Sequence, residues 1–249
     1  MSQLHRDNGG YTGIDVRDTA DLWFDNVSLL LQPAAGDTVI EDKSPNAHSI
    51  TNNGVTLDNT NQKWNGAASM LFERANSDYL TTSNSNDWFF GKFDLTIEFF
   101  LQLGSIGTDE IHNVTSQDTG NDVFSVRIQN KADQGFTFNY ANGTKLFEGS
   151  DRTSPTASFG HFAATRQGDL FTLWFNGSQV AQTTDGVSTQ KLSEPLDVGR
   201  ISRNGGQEYL DGNMTSLRIT KGVARYTAAF TPPTRPFPTR RYVSGVIQP

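Results

Sequence analysis

Apolar and polar residues alternate along the middle of the chain, and this alternation limits the fold more than any other feature. From Phe93 to Leu103 every second residue is apolar, and on the intervening positions only Phe100 interrupts a polar series. A strand with one face on a core and the other towards solvent has this period of two. The same spacing recurs in three further segments, 124–128, 136–140 and 171–175. The last of them ends at Asn176-Gly177, a dipeptide typical of tight hairpins.

Turn-forming residues separate the candidate strands, and no stretch longer than one turn has a helical apolar stripe. Val27–Leu31 is predicted as the first strand. Three reversals are expected after it, at Ser44-Pro45-Asn46, Asn53-Gly54 and Asn65-Gly66. Many short strands at this spacing predict an all-β fold, either an antiparallel sandwich or a barrel.

Composition excludes several classes of function. The 249 residues suffice for one large β domain with a substantial core. The net charge of −7 disfavours nonspecific binding to nucleic acid. The chain has no cysteine, which excludes disulfides, thiolate metal sites and thiol nucleophiles.

The N-terminal residues lack the apolar region of a secretory signal, and no apolar run reaches the roughly 20 residues of a membrane helix. We expect neither a nucleic acid nor a membrane as a partner.

The segment 209–238, YLDGNMTSLRITKGVARYTAAFTPPTRPFP, combines an alternating strand with a Lys221-Gly222 break and a proline-rich exit. Thr215, Leu217 and Ile219 are expected on one face of that strand. The segment resembles the closing strand and tail of laminin-G-like domains of the concanavalin-A type, in the version common among bacteriophage structural proteins. Four further blocks resemble the same pattern in the expected order, within residues 26–48, 65–80, 90–99 and 160–200.

This resemblance implies a concanavalin-A-like antiparallel β-sandwich of jelly-roll type over residues 23–238. An N-terminal arm (1–22) and a C-terminal tail (239–249) flank it. Two positions depart from the family pattern: Phe159 stands where a tryptophan is common, and Thr215-Ser216 stands where an acidic pair is common. The second departure weighs against a family metal site.

Sandwiches of this type include glycoside hydrolases, so a catalytic pair of carboxylates has to be considered. The acidic run Glu-x-Asp-x-x-Glu of such enzymes is absent. Glu98 has only Asp94 as an acidic companion on its strand face, and both are expected to be exposed. His161, in the fourth block, is expected to be structural. We therefore predict that the chain is not an enzyme, with a glycoside hydrolase as the least supported alternative.

Two kinds of binding site remain open. Laminin-G-like domains often hold calcium between rim loops, and the candidates here are Asp185, Asp211 and Asn213. No other cofactor is expected. A sugar site needs an exposed aromatic ring beside amide and carboxylate groups. The loop from Asn84 to Trp88 has that composition, with Asp87 and Trp88 as its key residues, and Tyr209 is a second candidate.

The resemblance and the polar ends lead to a function. We predict a noncatalytic bacteriophage virion protein, made in the host cytoplasm, which docks on the head or tail and displays the sandwich. The alternative is a carbohydrate-binding adhesion module of a tail fibre or receptor-binding component. Expected partners are a major capsid or tail protein, further copies in a homo-oligomer, and surface glycans. The predicted assembly contacts are Leu4, Tyr11, Ile14, Trp23, Phe24, Tyr242, Val243, Val246 and Ile247.

Overall fold

The computed structural model describes residues 20–104, 107, 110–118, 123–131, 134–139, 145–148, 155–186, 188, 191–203, 206–243 and 246–247. These residues form an antiparallel β-sandwich with nineteen strands. Its helical elements, within this part of the chain, are three single 3-10 turns at Phe24–Asn26, Arg74–Asn76 and Asn86–Trp88. The predicted all-β fold is confirmed.

The strands are joined by connections of very different lengths. In chain order they are β1 (Val27–Leu31), β2 (Thr51–Asn53), β3 (Thr56–Asp58), β4 (Ser69–Phe72), β5 (Tyr79–Thr82), β6 (Leu95–Leu103), β7 (Ile111–Asp118), β8 (Val123–Lys131), β9 (Gln134–Asn139), β10 (Lys145–Glu148), β11 (Gly160–Gln167), β12 (Leu170–Phe175), β13 (Ser178–Thr184), β14 (Leu196–Val198), β15 (Arg200–Arg203), β16 (Gly206–Tyr209), β17 (Gly212–Lys221), β18 (Tyr242–Val243) and β19 (Val246–Ile247).

Two sheets face each other. The eight-stranded sheet has the order β13-β12-β11-β6-β17-β4-β3, and β1 pairs with β17 beyond the end of β4. The seven-stranded sheet has the order β10-β9-β8-β7-β14-β5-β2. Two further antiparallel pairs, β15-β16 and β18-β19, lie outside these sheets. The strand order interleaves early and late segments, so the sheets close only when distant parts of the chain meet.

The core lies between the sheets and follows the predicted alternation. In β6, Leu95, Ile97, Phe99, Leu101 and Leu103 are all buried. The facing sheet contributes Val126, Ile128, Phe136 and Phe138. Phe93, the first residue of the periodic run, does not join them: it precedes β6 and is 57% exposed.

The closing strand β17 departs from the predicted alternation because it contains a bulge. Its register with β6 shifts between Thr215 and Arg218, and Ser216 has a left-handed φ of 52°. A bulge adds one residue to a strand and reverses the side on which later residues point. Leu217 and Ile219 face the core as predicted, whereas Thr215 pairs with the outward-facing Phe100.

The residues after β17 form a third layer over the outer face of the eight-stranded sheet. Phe237, in this covering segment (222–238), packs with Phe100, Val27, Leu30 and Phe159. This second apolar cluster explains why an aromatic residue interrupts the polar series of β6. Phe230 of the same segment packs on the buried Trp174, with ring centroids 5.7 Å apart.

Glycine at position 177 lets the covering segment approach the sheet. Asn176 and Gly177 both have positive φ, 48° and 80°, as the predicted hairpin turn requires. The carbonyl oxygen of Phe230 lies only 1.7 Å from the position that a Cβ atom at residue 177 would occupy, so a larger residue would clash there. The backbone N–H of Phe230 in turn donates to the carbonyl of Gly177 at 3.0 Å.

A buried ion network fastens both ends of the domain to the sheet. The Arg218 guanidinium donates to Oε1 of Glu98 at 2.7 and 2.9 Å and to Oδ2 of Asp21 at 3.1 Å. Arg225 donates to both oxygens of Asp21 at 2.8 and 3.1 Å. The Tyr226 hydroxyl donates to Oε2 of Glu98 at 2.7 Å. Two carboxylates thus balance two guanidinium groups. Their hydrogen bonds join strands β6 and β17 to the covering segment and to the residues at the N-terminal start of the domain.

Two residues that precede the predicted start of the sandwich at residue 23 pack against it. Ala20 and Asp21 are buried, and the backbone N–H of Asp21 donates to the carbonyl of Arg240 at 2.8 Å. Asp21 also forms a parallel bridge with Arg241. The first and last parts of the packed domain lie side by side.

Replacing Glu98 by glutamine should strongly destabilise the domain. Glu98→Gln leaves Arg218 and Arg225 sharing a single carboxylate in a buried site, and breaking a buried ion pair costs about 3–5 kcal/mol. The free energy of unfolding, measured with urea, should fall by about that amount. The control is Asp25→Asn in the exposed Asp25–Arg241 pair, which should change it by less than about 1 kcal/mol. Equal effects of the two variants would contradict the proposed importance of the network.

His112 in β7 is fully buried and neutral. Its Nδ1 accepts hydrogen bonds from Nη2 of Arg74 at 3.1 Å and from the backbone N–H of Asp211 at 3.2 Å. Nδ1 is therefore unprotonated and Nε2 carries the hydrogen. Burial, followed by the positive charge of Arg74, lowers the pKa of His112 from 6.5 to about 4.

This shift makes stability depend on pH. Between pH 6.5 and about 4 the unfolded chain binds a proton at His112 that the folded chain does not bind. The contribution of neutral His112 to the free energy of unfolding is therefore complete above pH 6.5. About 3 kcal/mol of that free energy is lost as the pH falls to 4. His112→Asn keeps an acceptor for the same two bonds and should remove that part of the pH dependence. Urea unfolding across this range measures it, and an unchanged pH profile in the variant would contradict the assignment.

Candidate functional site

Glu98 is not the exposed strand charge that the sequence predicts. It is fully buried beneath the covering segment, with Nε2 of His161 3.2 Å from its Oε2. Burial alone would raise the pKa of Glu98, but the charge of Arg218 and the hydrogen bond of His161 hold it well below its usual value. An ionised carboxylate without contact to solvent cannot protonate a glycosidic oxygen. His161 itself is fully buried, as expected of a structural residue.

The three calcium candidates do not form one site. Gly212 pairs with Leu103, so Asp211 and Asn213 lie at the carboxyl end of β6. Asp185 follows Thr184, the last residue of β13, which pairs with Leu170 at the start of β12. This is the end of the sheet at which Arg166 pairs with Leu95, the first residue of β6. Asp185 is therefore at the opposite end of the sheet. Asn213 is buried and donates to Asp58 and Ser69. Within the described residues, no cluster of three potential metal ligands occurs.

Trp88 cannot serve as the predicted aromatic platform because it is only 2% exposed. Its indole N–H donates to the carbonyl of Ser83 at 3.1 Å, and its ring packs against His48 with centroids 4.7 Å apart. Tyr209 is half-buried and ends β16, just before Gly212 at the Leu103 end of the sandwich. It therefore lies far from Asp87, which is near Lys221 at the other end.

Asp87 lines an open cleft, the Phe93 cleft, with a volume of about 320 Å³. Four parts of the chain meet there, namely residues 25–28, residue 46, residues 87–93 and residues 221–222. The residues that line it are Asp25, Asn26, Val27, Ser28, Asn46, Asp87, Phe93, Lys221 and Gly222.

Phe93 supplies an exposed aromatic ring to this cleft. The backbone N–H of Phe93 donates to the carbonyl of Phe90 at 2.8 Å, and Gly91 has a positive φ of 54° within this turn. The turn holds Phe93 outside the sheet, where Lys221 Nζ lies 5.6 Å from the ring centroid. Sequence reasoning missed Phe93 because it shares the period of the core residues. The Gly91-Lys92 dipeptide was the available signal for a turn.

The polar groups of the cleft are held in place. Oδ2 of Asp87 accepts a hydrogen bond from the Ser85 hydroxyl at 2.8 Å and lies 3.0 Å from His48 Nε2. Lys221 Nζ donates to the carbonyl of Asn86 at 2.7 Å. Partial burial, countered by the charge of Asp87, lowers the pKa of Lys221. A carboxylate, an ammonium group and the exposed amide of Asn46 thus surround an aromatic ring, which suits a ligand with both hydroxyl groups and an apolar face.

A second polar surface, on the outer face of the seven-stranded sheet, is a weaker candidate. Asn113 and Arg127 are cross-strand neighbours there, and both are buried. Within the described part of the chain, the Asn113 amide and Nε of Arg127 have no hydrogen-bond partner. These atoms have almost no solvent contact, so a ligand has no access to them in this structure.

The predicted assembly contacts fall in different places. Leu4, Tyr11 and Ile14 lie outside the described residues. Trp23 is partly exposed, whereas Phe24 is half-buried against the second apolar cluster. Tyr242-Val243 and Val246-Ile247 pair with each other as β18 and β19.

The fold and its sequence pattern define the class of protein. A family model described as the concanavalin A-like lectin/glucanases superfamily matches residues 74–225, more than half of the chain. The chain belongs to this superfamily, as its resemblance to laminin-G-like domains predicts. No curated protein matches the sequence. The described residues contain no helix that is long and apolar enough to cross a membrane.

Solved structures show the same fold at low identity. The binding domain of Paraclostridial mosquitocidal protein 1 has a TM-score of 0.61 and 14% identity, covering 81% of this chain and 50% of that one. The receptor binding domain of botulinum neurotoxin D has a TM-score of 0.60 and 16% identity, with coverages of 81% and 50%. This chain therefore spans about half the length of those toxin domains.

A third structure matches over nearly its whole length. It is domain 4 of an extracellular GH43 arabinanase from Geobacillus stearothermophilus, in complex with arabinotriose. Its TM-score is 0.59 at 12% identity, covering 80% of this chain and 95% of that one. At such identities the likeness shows the fold, a lectin-like sandwich of the kind found in binding domains.

Proposed function

We propose that the chain is a noncatalytic carbohydrate-binding domain that holds a sugar in the Phe93 cleft. One observation carries the proposal: an aromatic ring that is 57% exposed stands in an open cleft beside a carboxylate, an amide and an ammonium group. An exposed phenylalanine ring costs solvation free energy in the absence of a ligand. The apolar C–H face of a sugar ring would cover it.

The polar groups of the cleft match the hydroxyl groups of a sugar. Oδ1 of Asp87 receives no hydrogen bond from the described residues and would accept one from a hydroxyl group. Lys221 has two further N–H groups besides the one donated to Asn86. Asp25 and Asp87 balance the charges of Lys221 and of Arg241, which pairs with Asp25, and the whole chain has a net charge of −7. These charges favour neutral glycans over acidic ones.

The structural neighbours support binding as the general role. Their names describe binding and receptor-binding domains of toxins and an arabinanase domain in complex with arabinotriose. The buried, ionised state of Glu98 supports the noncatalytic part of the proposal. Carbohydrate binding thereby moves ahead of the virion role that the sequence alone favours.

Replacing Phe93 by alanine should abolish most of the binding. A glycan array with neutral and acidic oligosaccharides would identify the best ligand, and isothermal titration calorimetry would measure its Kd. Phe93→Ala should raise that Kd at least about tenfold, a loss of about 1.4 kcal/mol. The matched control is Val39→Ala, since Val39 is an equally exposed apolar residue that lines neither described cleft.

Three results would count against this proposal. They are the absence of binding to any glycan on the array, an unchanged Kd in Phe93→Ala, and hydrolysis of the bound oligosaccharide. The first two would exclude the cleft as a sugar site, and the third would exclude a noncatalytic role.

We also propose, as the sequence predicts, that the domain is carried on a bacteriophage virion through its chain ends. The supporting observation is the bridge between Asp21 and Arg241, which brings the root of the N-terminal arm beside that of the C-terminal tail. Both ends can then reach the same partner. The head or tail location and the homo-oligomeric state stay predictions.

Deleting residues 1–19 should prevent incorporation into virions while leaving a folded domain. The deletion has to stop before Asp21, because that residue belongs to the buried ion network. Immunoblots of purified particles from an infected host would compare the deletion with the full chain. Normal incorporation of the shortened chain would contradict attachment through the N-terminal arm.

A further inference from the structure

A second open cleft lies beside the first. This Trp23 cleft has a volume of about 540 Å³. Residues 20–23 form one wall, residues 231–238 form the other, and Arg218 and Arg225 lie between them. Trp23 is 42% exposed and Leu22 is 63% exposed. The two described clefts thus each contain an exposed aromatic ring.

The same two segments of the chain line both clefts. Residues 20–23 border the Trp23 cleft and residues 25–28 border the Phe93 cleft. Arg225 belongs to the first, and Lys221 with Gly222 belongs to the second. Where the segments meet, Nδ2 of Asn26 donates to the carbonyl of Lys221 at 3.1 Å. The single 3-10 turn Phe24–Asn26 therefore separates two neighbouring clefts.

The exposed rings of the two clefts also have similar neighbours. In the Trp23 cleft the Arg225 guanidinium lies 5.4 Å from the indole ring, and Asp21 is the adjacent carboxylate. In the Phe93 cleft, Lys221 and Asp87 have the corresponding positions. A ring beside a cation and an acid is thus repeated on both sides of the turn, with the Arg225–Asp21 pair buried and Asp87 half-buried.

Ion pairing and the apolar wall of the Trp23 cleft favour a ligand without a strong charge. Asp21 and Glu98 neutralise Arg218 and Arg225 through close hydrogen bonds, which leaves Arg235 as the one other charged residue in the lining of the cleft. Prolines 232, 233 and 236 make much of the opposite wall apolar. A neutral molecule with apolar C–H faces and scattered hydroxyl groups suits both walls.

We propose that the two clefts form one groove for an extended neutral oligosaccharide, with Trp23 contacting sugar units beyond the unit held at Phe93. This inference rests on the proposed function of the Phe93 cleft. Each cleft has the volume of a site for a small organic ligand, about 300–1,000 Å³, so a ligand that fills both is longer than a monosaccharide. Trp23 then contacts ligand, in place of the assembly role that the sequence predicts for it.

The test is the dependence of affinity on oligosaccharide length. The best neutral glycan from the array would be titrated as a series from the disaccharide to the hexasaccharide. The parent protein should bind the hexasaccharide at least about tenfold more tightly than the disaccharide. Trp23→Ala should remove this gain while changing the Kd of the disaccharide less than about twofold. Phe93→Ala should weaken binding of both.

Two further variants separate ligand contact from structural damage. Trp23→Phe keeps an aromatic ring and should retain part of the gain with length, whereas Val39→Ala should leave both affinities unchanged. If Trp23→Ala leaves the gain intact, or weakens both ligands equally, the extended groove is wrong although the Phe93 cleft stands. If Phe93→Ala changes neither affinity, the proposed function fails at its own site.

Discussion

The charge balance of Glu98, Arg218, Asp21 and Arg225 is the constraint on which the outer layer depends. The two carboxylates and two guanidinium groups come from four places in the chain and are nearly excluded from water. In such surroundings each charge is tolerable only while its partners are present. The network therefore requires the covering segment and the N-terminal root to lie on the sheet together, and the apolar cluster around Phe100 forms between them.

The same network gives the two clefts their shape. Arg218 and Arg225 border the Trp23 cleft, and their hydrogen bonds to Asp21 fix residues 20–23 as its wall. The chain then turns once and supplies residues 25–28 to the Phe93 cleft. Side chains that are fixed before a ligand arrives lose little conformational entropy on binding. In the proposed function, a buried ion network under a third layer is therefore a condition for ligand binding at the surface.

Local patterns predicted the strands well, because a strand's period and a hairpin's turn are local properties. The alternation in β6 and the turn at Asn176-Gly177 are examples. The same pattern showed that Glu98 and Phe100 face away from the core, but it contained no information about a third layer on that side. That layer comes from residues more than a hundred positions later. The bulge at Ser216 was equally hidden, since an inserted residue changes the facing of Thr215 without changing composition.

The candidate site shows where composition is a poor guide to exposure. Asp87 was found because acid and amide residues concentrate in its loop, yet the neighbouring Trp88 is buried by His48 from a distant loop. The reverse holds for Phe93, whose place in a periodic apolar run predicts burial although the residue is exposed. It lies before Leu95, the first residue of β6 that pairs with a neighbouring strand. Pairing holds a side chain on a face of the sheet, and a residue before the pairing begins is free to leave it. The terminal residue of a periodic run, next to a glycine turn, is therefore a better candidate for an exposed aromatic contact than a tryptophan inside a polar loop.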